Sequence, residues 1–535
     1  MKRTATAAFV LCTIFGLGLN AQSGAGHIYD YDFMLRNSAW LTSANAAGLC
    51  TNTSDRISVA ELSFEKDNGG LIDNEGSPDS YGYGIYAEAY SKLSEKIAFF
   101  GQLGYSGFHG KNMGGSVFVD PDYNPVNFYE STGGYRGMVN RESYYAKGGI
   151  SYSFTPEWSI GGKIDFTAGN SAKRKDPRYR STLLDMDLSA GARFSIDLFE
   201  VGFNLLYRRT TETILGKLYA DTSIKYYMLV DYGGYWGRYD LFEGNYGYVS
   251  LENQRPMFNN FYGGALQLVF GGDNVRMFND LSYLYRKGYY GTKSETSVLF
   301  SRHEGHCFSY SGNLNIKGRN HDIHIISLNA DFETLKNFEN SYRFNTKPGE
   351  NTTVQYLGEN QRLDRLMCDV ALRYTGYSGI EDNLPKWEYG AELDFNMKDS
   401  YATIYPDSRK QFVSSFGVQG FGKGNFVYRD RNVFTAGAEL DFSMGFGTKN
   451  TDVREASTTS PLPKSSDSYL GVDFEYRTIP CAGGALSFKY TRAFGDKGFR
   501  AYILLRDRFV HSAKKVEYLQ ENYRNFVEIR IGCNF

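Results

Sequence analysis

Four of the chain's seven histidines fall close together, His303 and His306 in RHEGHC and His321 and His324 in NHDIH. With Cys307 and Asp322 beside them, they are the side chains that zinc or a haem iron takes. Their spacing works against one shared site. Both stretches alternate as strands do, and a turn at KGRN (317–320) would pair residues whose numbers sum to about 637. His306 then sits opposite the neighbourhood of Asp331. Its level differs from that of His321 by about ten residues, on the order of 30 Å at ~3.3 Å per residue. His321 and His324 differ by an odd number and face opposite sides of a strand. HEGH also lacks the helical HExxH spacing of a zinc protease. No metal and no cofactor are expected.

Other chemistry is equally unsupported. The chain shows no nucleophile elbow, no Gly-rich phosphate loop and no carboxylate pair that calls for catalysis. A non-enzymatic protein is expected. Its charged residues instead recur on one side of alternating segments: Asp369, Glu388, Glu392, Asp394, Glu439, Asp441, Asp473 and Glu475, then Arg477, Lys489, Arg506 and Arg530. An acidic arc facing a basic arc across a lumen would create a transverse field of the kind porins use. A salt-bridged, plugged interior would use the same residues. The stretch YYMLVDYGGYWGRYDLFEGNYGYVS (226–250) offers Tyr232, Tyr235, Trp236 and Tyr239 as a loop that could stack on a glycan or peptide, or fold into the pore. KRKDPRYR (173–180) gathers five positive charges in another presumptive loop, either a solvated run or a contact for anionic surface lipid.

The elements that must position these residues are strands. In LLDMDLSAGARF, Leu184, Met186, Leu188, Ala190, Ala192 and Phe194 share one face, and Asp185, Asp187, Ser189, Gly191 and Arg193 share the other. WEYGAELDFNMK (387–398), FTAGAELDFSMGF (434–446) and YLGVDFEYR (469–477) alternate in the same way. Short connections (94–96, 155–158, 271–274, 317–320) and long polar ones (111–140, 214–258, 337–362, 447–466) suggest tight turns at one end and loops at the other. Nineteen segments qualify as strands. A bacterial single-chain barrel needs an even number, so 468–478 and 483–493 are joined across PCAGG, which gives about 18 strands within a range of 14–18. GDKG (495–498) then becomes a periplasmic turn.

The N-terminus MKRTATAAFVLCTIFGLGLNAQ reads as a secretory signal peptide over 1–21. Residues 22–56 form a short N-terminal segment, periplasmic or lumenal, and 57–535 form the barrel. With 43 Tyr, 39 Phe, 59 Gly and only 12 Pro, the chain is aromatic yet 22% charged, too polar for a helical membrane protein. A net charge of −2 argues against nucleic acid as a partner. The mature chain keeps five scattered cysteines, Cys50, Cys307, Cys368, Cys481 and Cys533, which do not form a disulfide framework.

The end FVEIRIGCNF resembles the C-terminal signal that outer-membrane assembly machinery reads, with Val527, Ile529 and Ile531 alternating towards the aromatic Phe535. NSAWLTSANAAGL (37–49) resembles the NPAGL-type segment that precedes the first strand in fatty-acid-transporter-type barrels. Over its length the chain resembles uncharacterised outer-membrane barrel families of Bacteroidota-type bacteria, a resemblance that implies no assigned function. The expectation is an all-β, transmembrane, up-and-down antiparallel β-barrel in the outer membrane of a Gram-negative bacterium. It would be a passive channel or small-solute transporter, or else a non-conducting accessory barrel of a nutrient- or iron-acquisition complex. A barrel-embedded enzyme comes third. About 35 residues between signal and first strand are too few for the plug domain of a TonB-dependent receptor. Expected partners are outer-membrane lipid and lipopolysaccharide, the assembly machinery, and a surface lipoprotein or receptor. Deleting Phe535, or making Phe535→Asp, should leave export intact and sharply reduce insertion, read as the heat-modifiable mobility of the outer-membrane fraction.

Overall fold

A computed structural model describes residues 30–52, 56–119, 121, 124–131, 133–219, 223–242, 248–249, 254–294, 297–319, 321–346, 349, 352–455, 459–494 and 499–535. The expected signal peptide (1–21) and the GDKG turn (495–498) lie outside them. Eighteen strands form one sheet in which every pair is antiparallel and every pair but the closing one joins strands that follow each other around the wall. The first strand, Arg56–Gly69, pairs with the second, Asp79–Ser94, and also with the last, Tyr523–Asn534. The latter register runs from Val59 opposite Asn534 to Gly69 opposite Arg524. That seam closes the barrel, and a closed sheet leaves no edge of unpaired amides to lipid.

The alternation in the sequence now acquires a direction. Leu184 and Leu188, Trp387, Tyr389 and Leu393, and Phe434, Leu440, Phe442, Met444 and Phe446 are all exposed on the outer face. The charges between them point inward and pair: Asp185 with Arg208, Glu392 with Arg373, Glu439 with Arg506 and Asp441 with Arg508. Apolar side chains outside and ion pairs inside invert the arrangement that water imposes. A closed antiparallel barrel of this size with such a coat belongs to the Gram-negative outer membrane, and that is where this chain sits. Turns at one end are short, and the connections at the other are longer.

Three expectations require correction. Residues 468–478 do not continue a strand into 483–493: Asp467–Thr478 is a helix, and the strand begins at Cys481. The preceding strand, Asn432–Arg454, meets Cys481–Phe494 only from Ser443 downward, and 467–478 packs as a helix against the upper part of that strand and its neighbour Asp407–Tyr428 instead of extending the sheet. A helix satisfies its own backbone there. Val472, Phe474 and Tyr476 therefore do not share a face opposite Asp473, Glu475 and Arg477. Second, 337–362 is not a long loop, because the strands Ile323–Asn345 and Thr353–Ser378 continue through most of it. Above the membrane both faces of this hairpin meet water, so pairing persists while the apolar alternation lapses. Third, 447–454 likewise remains strand.

The N-terminal segment lies inside the periplasmic mouth. Helix α1 (Tyr31–Arg36) is capped by Asp30, whose Oδ1 accepts the Phe33 N–H at 3.2 Å. A short helix α2 (Ala39–Thr42) and a 3₁₀ turn (Ala46–Thr51) follow. Glycines of the barrel wall make room for it. A Cβ on Gly161 would come within 2.5 Å of the Ala46–Ala47 backbone, one on Gly191 within 2.5 Å of Asn45 Oδ1, and one on Gly202 within 2.7 Å of the Trp40 ring. Gly161→Val should leave the barrel folded but displace residues 40–50, read as new protease cleavage in that segment while heat-modifiability is retained.

Candidate functional site

The lumen has three levels, each built by a different part of the chain. At the floor, the N-terminal segment touches the wall almost all the way round. Trp40 Nε1 donates to Glu200 Oε2 at 2.7 Å, Ser43 Oγ to Asp280 Oδ2 at 3.0 Å, and Asn45 Nδ2 to Gln267 Oε1 at 2.9 Å. On the far side Lys423 Nζ bridges Asp30 and Glu388, at 2.9 Å each. Burial and this ammonium together set Asp30. Burial alone would raise its pKa, but the charge of Lys423 prevails and holds it well below the usual carboxylate range. These bonds come from strands far apart around the barrel, so the segment ties opposite walls together.

At the mouth, the loops fold inward as a small protein would. Asn127–Glu130, Tyr227–Asp231, Trp236–Leu241 and Lys464–Ser465 form a four-stranded sheet of their own. Phe118, Phe128, Tyr248, Tyr290 and Phe300 pack beneath it in one apolar core with wall residues Ile214 and Met257. Charge-assisted bonds pin this sheet to the wall. Glu339 accepts from Tyr232 Oη at 2.6 Å, Tyr248 Oη at 2.7 Å, Arg238 Nη1 at 2.6 Å and Arg362 Nε at 2.8 Å. Lys173 and Glu130 form an ion pair whose side chains are both fully buried. The aromatic loop is thus interior: Tyr232, Tyr235 and Trp236 are buried, and Tyr239 alone of the four is open to solvent. Tyr235 stacks among Tyr129 and Tyr469 and accepts a hydrogen bond from Asn74 Nδ2 at 3.1 Å.

Between floor and mouth lies a chamber of about 690 Å³, lined among others by Asp369, Lys398, Asp441, Arg506, Arg508 and Arg524. A second space of about 460 Å³ adjoins the N-terminal segment at Arg36 and Ser43. The chamber's charges are set by a detail of the wall. Arg506 and Arg508 on Phe499–Ser512 pair with Glu439 at 2.5 Å and Asp441 at 3.2 Å, two strands away. The strand between them turns Gly483, Ala485 and Ser487 to the lumen, in register with Asp441, Glu439 and Gly437. These residues are small enough for the arginines to lie across them. The expected acidic and basic arcs therefore meet in cross-strand pairs, and the chamber keeps donors and acceptors of both signs. Asp473, Glu475 and Arg477 belong to helix α3 (Asp467–Thr478), not to the wall, and Arg477 reaches the chamber from above. Glu475 instead accepts the successive backbone N–H groups of Glu517, Tyr518 and Leu519 at 2.6–2.9 Å and anchors that loop.

The histidines occupy separate surroundings. His303 is buried with its Nε2 2.5 Å from Asn259 Oδ1, whereas His306 meets Tyr283 Oη at 2.9 Å and His324 meets Tyr374 Oη at 2.9 Å. Among the described residues, no three His, Cys, Asp or Glu are grouped to hold a metal. Cys50, Cys307, Cys368, Cys481 and Cys533 are free thiols. At the seam, Ile529 and Ile531 face outward, and the Phe535 N–H donates to Ser58 O at 3.1 Å. The glycine sockets and the small-residue strip were not singled out from the sequence, because a Gly in a strand does not say what approaches it.

Residues 46–535 match a family of unknown function, DUF6850. No curated protein matches the sequence. Among solved structures, the ferric preacinetobactin receptor BauA of Acinetobacter baumannii is similar at 7% identity over 90% of this chain and 80% of that one, with a TM-score of 0.41. The Escherichia coli outer-membrane transporter YddB is similar at 8% identity over 89% and 80%, with a TM-score of 0.38. A mutant of the monoaromatic hydrocarbon channel TodX is similar at 11% identity over 96% of both chains, with a TM-score of 0.30. At that distance none of them informs the chemistry of this lumen.

Burial pushes the Asp231 carboxyl up to about 6, although the Gly233 and Trp236 N–H groups each donate to it at 2.9 Å. The folded state thus binds the proton more tightly than the unfolded chain. Its contribution is complete below pH ~4 and is lost as pH rises through 6. Amide exchange in 227–241, corrected for intrinsic rates, should be slower at pH 4 than at pH 7, and Asp231→Asn should flatten that difference.

Proposed function

The chain belongs to the DUF6850 family of unknown function, and from that premise we propose that it is a gated outer-membrane transporter for a small polar solute. The observation that carries this reading is the chamber of about 690 Å³ with acids and bases on its walls, held between a mouth built as a folded lid and a floor built by the N-terminal segment. A permanently open pore would leave its axis free, whereas this lumen is crossed at both ends by the chain itself. The floor is the better candidate for the moving part. It is joined to the wall by hydrogen bonds and one shared ammonium, each worth about 1–3 kcal/mol net, and by small separate apolar patches around Phe33, Trp40 and Leu41. The mouth carries one larger, continuous apolar core.

The accessory reading is favoured by that same core, since a lid packed like a globular interior suits a barrel that only presents its surface. Conductance separates the two. In planar bilayers the unaltered chain should stay closed at low voltage, and Trp40→Ala combined with Asn45→Ala should produce discrete openings. Steady current through the unaltered chain would replace gating with an open pore. Silence from both proteins, each shown to be inserted, would favour the accessory role.

A further inference from the structure

The basic run at the extracellular end of the barrel is not absorbed by the lumen. Arg178 and Lys217 stand directly opposite each other on the neighbouring strands Arg178–Ile196 and Phe199–Lys217, both on the outward face. Like charges in that position destabilise a sheet. The Tyr219 ring lies beside both, 4.1 Å from the Arg178 guanidinium and 4.3 Å from Lys217 Nζ, which offsets part of the cost. Arg174, Lys175 and Arg180 are exposed around them. Residues 173–180 and 215–219 contain one carboxylate, Asp176, which accepts from Arg178 Nε at 2.9 Å. Lys173 of the same run points inward to Glu130, so the outward cations form a group of their own.

Their height identifies what they meet. On this strand the outward residues from Phe194 to Leu184 are all apolar, and near the upper border of that stretch the outward Arg209 of the next strand, opposite Met186, lies over the Phe258 ring. At ~3.3 Å per residue and a tilt of about 40°, those ten steps span roughly 25 Å, the height of an outer-membrane apolar band. Arg180 then stands about 10 Å above the edge of the hydrocarbon, and Arg178 with Lys217 about 15 Å above it. Free solvent would make a cluster at that level merely costly. A phosphorylated sugar headgroup, anchored by acyl chains against Leu184 and Leu188 below, would bring its anions to that height. We infer that the outer face of strands 158–173, 178–196 and 199–217 docks a phosphorylated glycolipid of the outer leaflet, with Arg178, Arg180 and Lys217 binding its phosphates and Tyr219 holding the first and last of these in place.

The full chain is reconstituted into nanodiscs of zwitterionic phospholipid carrying a diphosphorylated acylated glucosamine disaccharide, and retained glycolipid is measured by native mass spectrometry. Retention should fall at least tenfold for Arg178→Gln with Lys217→Gln, and should survive in Arg178→Lys, which keeps the charge and reports a folded barrel. The dephosphorylated glycolipid should not be retained above the background lipid. Equal retention by the double variant, or equal retention of the dephosphorylated glycolipid, would overturn the assignment. So would full displacement by millimolar inorganic phosphate, which would make this a simple anion site.

Discussion

Every backbone amide of a chain in lipid must find its partner within the protein, and this chain meets that demand at one seam. The pairing of Arg56–Gly69 with Tyr523–Asn534 joins residues more than 450 positions apart. Without it, the sheet would present two edges to hydrocarbon, at several kcal/mol for each unsatisfied group. Closure in turn fixes the polarity of everything else. Once the outer face must match acyl chains, each strand has to send its charges into the lumen, and the lumen becomes the only polar interior available.

That interior is packed rather than empty, by two different means. The mouth is filled by an apolar core and a four-stranded sheet, an ordinary small-protein solution set inside a barrel. The floor is held by polar contacts from Glu200, Gln267, Asp280 and Lys423 and by separate apolar patches in which Tyr31, Phe33, Trp40 and Leu41 meet the wall, with its backbone seated on glycines. Apolar burial resists opening roughly in proportion to area, whereas hydrogen bonds can be exchanged for water at small net cost. The mouth concentrates its apolar burial in one core and the floor divides its own among small patches, with the charged chamber between them.

The wall around that chamber shows how small residues do structural work in a barrel. Arg506 and Arg508 reach Glu439 and Asp441 only because Gly483, Ala485 and Ser487 keep the intervening strand low. A large side chain at any of the three would separate the charges and leave each partly buried without its counter-ion, which is the costly way to bury a charge.

Much of this was legible in the sequence, because period-2 alternation is a local property that survives in any barrel. It identified seventeen of the wall strands as such and the eighteenth in part, along with the short turns and the outer-membrane setting. It could not say which face was inside, since Leu393 and Glu392 alternate identically in a soluble sandwich. It also misread 468–478, where the residues of YLGVDFEYR alternate but fold as a helix packed against Asp407–Tyr428 and Asn432–Arg454. The helix there, the burial of Tyr232, Tyr235 and Trp236, and the seating of residues 40–47 on Gly161, Gly191 and Gly202 were decided by contacts between residues distant in the chain. Local pattern encodes what a segment can pair as. What fills a lumen depends on the curvature and closure of the whole sheet, and no short window of sequence carries those.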